Sequence, residues 1–179
     1  MNQELEIRSF ISKKQYEKLL NFFRENAKLI KEDYQETFYF DSKQDLRIQK
    51  NNFYSKIWMK KGNLHDECRE EIEIKFSRDE FENLENLFVG LGYNVEIKWF
   101  RKRYEFEWNK TKVCMDFTKG YGYIIELEKM CSTEEKQAMK ILEELKQNLK
   151  SLNINLTPKE EFKKKFEYYK ENWRKLTEE

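Results

Sequence analysis

The chain has 179 residues, among them 35 Lys or Arg and 34 Asp or Glu, for a formal net charge of +1. That balance excludes the strongly basic profile of non-specific nucleic-acid binders and the acidic profile of disordered tails, while 39% hydrophobic residues and 16% aromatics supply a core. One domain over residues 1–179 is the expected organisation. With no apolar leader and no run of about 18 apolar residues, the expected location is cytoplasmic, without a membrane partner.

Residues 3–11 alternate polar and apolar side chains and predict a strand. Ser12 then offers an N-cap for a helix over 13–29. Segments 36–41, 45–50, 53–61 and 68–76 return to a period of two and predict further strands. Ser77 with Glu80 has the capping-box pattern ahead of a helix over 81–91, which Gly92 closes. Strands are predicted again over 95–108, 112–118 and 122–130. Ser132 with Glu135 opens a helix running to about Asn153, and Thr157, Pro158 and Glu160 open a last one reaching Leu176. The fold class is therefore α+β, with eight strands paired antiparallel through short connections and four helices whose apolar stripes need a surface to cover.

Successive side chains of a strand point to opposite sides, so Glu4, Glu6 and Arg8 share one face of the first strand and Leu5 and Ile7 the other. In the same way Arg69, Glu71, Glu73 and Lys75 oppose Ile72, Ile74 and Phe76. Arg101 and Arg103 oppose Phe100, Tyr104 and Phe106, and Glu126 and Glu128 oppose Ile125 and Leu127. With helices on the apolar faces, the charged faces either meet bulk water or curl inward into a polar-lined barrel. A lining of both signs suits an anion together with a metal: carboxylate oxygens take a hard divalent cation, and Lys and Arg hold phosphate oxygens.

Several chemistries are excluded. His65 is the one histidine, in a stretch with Gly62, Asn63 and Asp66 that reads as a turn, which argues against catalytic triads and His-rich metal sites. Cys68, Cys114 and Cys131 are odd in number and widely spaced, as for reduced thiols rather than a disulfide framework or a zinc pair. The Gly-x-x-x-x-Gly-Lys phosphate loop is absent, and Gly90 with Gly92 marks a helix end. Lys163 to Lys165 read as a solvated helix face.

The strand ELEIR resembles the Glu-x-Glu-x-Lys signature of the CYTH domain, the family of class IV adenylate cyclases and thiamine triphosphatases within the triphosphate tunnel metalloenzymes. Further pieces follow in the family's order: QETFYFD at 35–41, LRIQ at 46–49, IWMK at 57–60, REEIE at 69–73, RKR at 101–103 and MDFTKGYGYIIELE at 115–128. The resemblance spans nearly the whole chain. It implies an eight-stranded antiparallel β-barrel, the triphosphate tunnel, with helices packed outside.

It also implies a site. The acids Glu4, Glu6, Asp116, Glu126 and Glu128 match the positions that bind Mg2+ or Mn2+, and Arg8, Arg47, Lys60, Arg69, Lys75, Arg101 and Arg103 would clamp the oxyanions of a triphosphate. Catalysis would fall to Glu4, Glu6, Arg8, Asp116 and Glu126. Arg8 stands where the signature has lysine, Gln49 where it has a second arginine, and Arg101 where it has lysine, so one phosphate contact is lost and a compact ammonium gives way to a planar fork at Arg8. The expected function is metal-dependent hydrolysis of a phosphoanhydride in inorganic triphosphate or an organic triphosphate, with a triphosphate-containing small molecule as partner and the oligomeric state left open. A class IV adenylate cyclase, making cyclic AMP and pyrophosphate from ATP, is the first alternative, and an RNA 5'-triphosphatase a further one. From another class, a non-catalytic polyphosphate or nucleotide binding module fits the interleaved aromatics and bases, but the alternating acids favour a metal.

Overall fold

The computed structural model describes residues 2–60, 71–132 and 135–178, with side chains except at 2–4, 71, 132, 135 and 136. Among the described residues, each predicted alternating region contains a strand, and residues 61 and 68–70 of the predicted strands lie outside them. The elements are β1 (Asn2–Ile11), α1 (Lys13–Asn26), β2 (Lys28–Phe40), β3 (Asp45–Lys50), β4 (Ser55–Lys60), β5 (Glu71–Phe76), α2 (Phe81–Gly90), β6 (Val95–Trp108), β7 (Thr111–Thr118), β8 (Gly122–Ser132), α3 (Glu135–Ser151) and α4 (Lys159–Thr177). The strands form one eight-stranded sheet in the order β1-β8-β7-β6-β2-β3-β4-β5. The pairs β1–β8, β2–β3, β3–β4 and β4–β5 run antiparallel. Eight antiparallel strands with four helices are the α+β class expected from the sequence. None of the described helices is long and apolar enough to cross a membrane.

Local signals explain most boundaries. Ser12 closes a full capping box on α1: its Oγ accepts from the Gln15 N–H at 3.2 Å, and Gln15 Oε1 accepts from the Ser12 N–H at 2.9 Å. The tight β6–β7 hairpin places Asn109 and Lys110 at φ 50° and 55°, the left-handed pair that a two-residue hairpin turn requires. Three expectations are corrected. α1 ends at Asn26 rather than residue 29, and β2 begins at Lys28 rather than residue 36. Residues 28–30 and 32 of β2 are exposed, so backbone pairing holds this strand without a buried apolar row to announce it. Ser77 makes no side-chain cap; a 3-10 turn over Arg78–Glu80 leads into α2 instead. The predicted pairing of Ser132 with Glu135 lies outside the described side chains, as do Arg69, His65 and Cys68 altogether.

The chain packs into two compact units. The first comprises residues 1–32, 103–117 and 122–164. Here Leu5 and Ile7 of β1 and Ile125 and Leu127 of β8 form a core with Phe23 of α1 and Leu145 and Leu149 of α3. The opposite face of the same strands carries Glu6, Arg8, Glu126 and Glu128. The second comprises residues 33–102, 118–121 and 165–179. Its core joins Phe38, Phe40 and Ile48 of the sheet to Phe81, Leu84 and Phe88 of α2.

α1, α2 and α3 thus cover apolar strand faces, as expected, but α4 does not. In the first unit its Phe162 stacks on Phe10, which shares a face with Arg8. In the second unit its Phe166 meets Tyr39 and Trp99, and Trp99 shares a face with Arg101. Aromatics interleaved among the charges give this helix its partners.

The end of α4 is tied down within the second unit. Tyr169 Oη donates to the Lys98 carbonyl at 2.9 Å, Trp173 Nε1 to the Glu96 carbonyl at 2.9 Å, and Lys119 Nζ to the Thr177 carbonyl at 2.6 Å. Gly120 has φ +74°, and a Cβ there would lie 2.7 Å from Leu176 Cβ and 3.0 Å from the Leu176 carbonyl oxygen. Gly120→Ala is expected to cost more than about 1 kcal/mol through the left-handed backbone alone, with the clash added. Equilibrium urea unfolding checks this; an unchanged midpoint would contradict the packing described.

Candidate functional site

The first unit gathers its charges on the polar face of β1, β8, β7 and the end of β6. Register places Glu6 of β1 directly opposite Glu128 of β8, and Arg8 opposite Glu126. Like charges at directly opposed positions repel, and Lys112 supplies a cation beside Glu128, 2.5 Å from its Oε2. Glu4 lies opposite Met130 on the same pair of strands, its side chain outside those described.

Glu126, Glu128 and Asp116 are buried, and Arg103 with them. The Arg103 fork donates Nε to Asp116 Oδ1 at 2.8 Å and one terminal nitrogen to Asp116 Oδ2 at 2.6 Å; the same nitrogen bridges to Glu126 Oε2. Burial works against the guanidinium charge, but the Asp116 and Glu126 carboxylates outweigh it and hold the Arg103 pKa well above even the usual arginine range. Asp116, which the resemblance gives as a metal ligand, has both oxygens engaged by this fork, and Arg103, expected on phosphate, holds carboxylates.

Beside this pair, ligand atoms of Cys114, Glu126 and Glu128 lie within 4.8 Å of one another. Cys114 Sγ donates to Glu128 Oε1 at 3.5 Å. Lys112 Nζ lies 2.5 Å from Glu128 Oε2, close enough for an ion pair, yet that buried oxygen receives no well-aligned hydrogen bond. The donor set fits a hard divalent cation in one respect: two carboxylates lie in reach of one ion, which would take the place of the Lys112 ammonium at Glu128. The thiol is not part of that fit. Burial pushes it well above the usual thiol range, against the pull of Arg103, so it stays S–H and serves as a weak donor.

The second unit holds bases, several of them tied among the described residues. Arg47 of β3 forks onto Asp45 (Nε–Oδ1 2.6 Å) and lies 4.3 Å over the Tyr39 ring and 5.6 Å from the Trp58 ring centre. Lys56 pairs with Glu73 at 2.6 Å and sits 4.3 Å over Trp58. Lys75 is exposed and reaches Glu73 at 3.3 Å. Burial raises the Glu73 pKa, but hydrogen bonds and charge from Lys56 and Lys75 outweigh it and hold the carboxyl below its ordinary value. Half-buried Lys60 stands opposite Asp45 and Glu71 in register. Arg101 donates to Gln35 Oε1 at 2.8 and 2.5 Å, Gln35 in turn to Asp33, and Gln49 to Thr37 at 2.9 Å. At Gln49 a neutral hydrogen bond thus stands where the resemblance has an arginine.

The first unit therefore brings together Glu6, Arg8, Arg103, Asp116, Glu126 and Glu128, and the second carries Arg47, Lys60, Lys75 and Arg101 on its own polar faces. Sequence reasoning passed over Lys112 and Cys114, although both share the face of Asp116 by simple alternation along TKVCMDFT. It also passed over Asp45 and Lys56 as partners of named residues.

A sheet of eight antiparallel strands with a buried cluster of acids and bases on its polar face defines the class of protein. The CYTH domain model matches residues 2–160, and the chain belongs to the CYTH domain family. A protein of Methanocaldococcus jannaschii, provisionally named an adenylate cyclase, is 31% identical over 139 residues, which is 72% of this chain and 77% of that one. A conserved hypothetical protein of Pyrococcus furiosus shares the fold with a TM-score of 0.70 at 23% identity, over 85% of this chain and 91% of its own. An adenylyl cyclase-named protein of Hippeastrum, described as having a dominant triphosphatase activity, aligns with a TM-score of 0.60 at 18% identity, over 86% and 89% of the two chains.

Proposed function

We propose that the protein is a divalent-metal-dependent triphosphatase. The buried pair Glu126–Glu128, with ligand atoms within 4.8 Å of one another and Arg8 directly across the strand pair, is the observation that carries the reading. Glu126 and Glu128, with Glu4 and Glu6 on the neighbouring strand, would hold Mg2+ or Mn2+. When bound, such an ion supplies charge neutralisation at phosphoryl oxygens and makes water more acidic.

The chain's own groups do the rest. Arg8, Arg47, Lys60, Arg69, Lys75 and Arg101 would take phosphoryl oxygens, a charge-assisted contact that suits each of them. Arg103 keeps Asp116 and Glu126 in fixed orientation, so that these two carboxylates can orient the attacking water. Water adds to a terminal phosphorus in line with the leaving oxygen, the phosphoanhydride bond breaks, and tripolyphosphate yields phosphate and pyrophosphate. Phosphoryl transfer asks mainly for such positioning and charge neutralisation. The dominant triphosphatase activity of the Hippeastrum relative supports this reading. The adenylate cyclase name of the Methanocaldococcus relative favours a second one, in which the ribose 3'-hydroxyl attacks the α-phosphate of ATP with the same clamp.

Incubation of the purified protein with tripolyphosphate, ATP or thiamine triphosphate, each with Mg2+, Mn2+ or EDTA, separates the two. Release of inorganic phosphate that EDTA abolishes is the expected result. Cyclic AMP and pyrophosphate from ATP as the main products would overturn it in favour of the cyclase.

A further inference from the structure

We propose that Phe162 of α4 is a positioning residue for Arg8. The start of α4 is pinned to β1 by a reciprocal pair: the Phe10 N–H donates to Thr157 Oγ1 at 3.0 Å, and the Thr157 N–H donates to Ser9 Oγ at 3.1 Å. This brings the buried Phe162 ring into a stack on Phe10, with centroids 4.2 Å apart and planes 25° apart. The guanidinium carbon of Arg8 lies 4.6 Å from the Phe162 ring centre. Phe162 falls beyond residue 160, where the family match ends, so nothing in the family pattern assigns it a role.

A guanidinium resting on an aromatic face keeps its plane fixed while its N–H edges stay available to acceptors. Arg8 stands across from Glu126, beside the carboxylate cluster, so the Phe162 ring sets where those N–H groups point relative to the acids. A lysine at position 8 presents a freely rotating ammonium and gains much less from the ring. The inference rests on the proposed function in one respect, that Arg8 contacts an oxyanion of the substrate.

The test is a cycle of wild type, Phe162→Leu, Arg8→Lys and the double variant, with Phe162→Tyr as the conservative control. Phe162→Leu is expected to raise KM for tripolyphosphate about tenfold with a smaller change in kcat, and Phe162→Tyr to restore wild-type values. In the Arg8→Lys background, Phe162→Leu should add less than about twofold. The Arg8 Nε–H NMR signal of the ligand-free protein provides a readout independent of turnover: Phe162→Leu should remove its ring-current shift and lower its order parameter. An unchanged signal, or an equal KM effect in both backgrounds, would overturn the inference. If wild type turns over no triphosphate, the same cycle is read on tripolyphosphate binding by calorimetry. Coupling retained there would sink the hydrolase reading alone, and absence of binding or of coupling would sink the role of Phe162.

Discussion

Glu128→Gln is expected to lower metal-dependent triphosphate hydrolysis by about a hundredfold or more while leaving the fold intact. The substitution keeps the size and planarity of the side chain and removes only its charge. Glu128 is 4% exposed and lies across from Glu6, with Cys114 donating to one oxygen and Lys112 alongside the other. An amide can still accept the thiol hydrogen. Lys112, whose side chain is 38% exposed, can turn to water, so the loss of stability should stay within about 1 kcal/mol. A hard divalent cation held as proposed would, by contrast, lose one of two buried anionic ligands, and charge count is what tunes such affinity. The measurement pairs phosphate release with thermal unfolding in Mg2+ and in EDTA. Activity like wild type with an unchanged melting curve would show that the metal is held elsewhere.

The second large effect is on stability. Arg103→Met should destabilise the protein by about 3–5 kcal/mol, because removing one partner of a buried ion pair leaves the other charge uncompensated. Here it strands two, since the same guanidinium serves Asp116 and Glu126, which are 1% and 7% exposed. For a chain of this length the melting temperature should fall on the order of 10 °C. Arg103→Lys keeps the charge but cannot make the two-pronged contact with Asp116 while reaching Glu126, and should fall between. Melting of Arg103→Met within about 2 °C of wild type would show that the cluster is not held by this residue.

Much of this arrangement is visible in the amino-acid order. Alternation along ELEIR and IIELE puts Glu6, Arg8, Glu126 and Glu128 on one face because the side-chain period of a strand is two, and the register of β1 on β8 confirms that they lie side by side. The position of the last helix is legible from Thr157 and Pro158 too, although α4 begins at Lys159 and Thr157 Oγ1 accepts from the Phe10 N–H of β1. What alternation cannot supply is the partner on the next strand. Arg103 belongs to the polar face on periodicity alone, but whether it meets a ligand or Asp116 depends on cross-strand neighbours that are 13 residues apart in sequence. The amphipathic stripe of α4 says that it buries a face, not which one. Only Phe10, Tyr39 and Trp99 among the charged positions explain why it settles on the polar side. The early start of β2 was hidden for the opposite reason, since its first residues bury little and leave no apolar period to read.

Phosphate release from tripolyphosphate, followed as Mg2+ or Mn2+ is added to metal-free protein and then removed with EDTA, tests the central claim most directly. Turnover that rises with the metal, stops on chelation and returns on re-addition, with one phosphate and one pyrophosphate per tripolyphosphate consumed, is the predicted result. Turnover indifferent to EDTA, or none with any metal and any triphosphate, would contradict it.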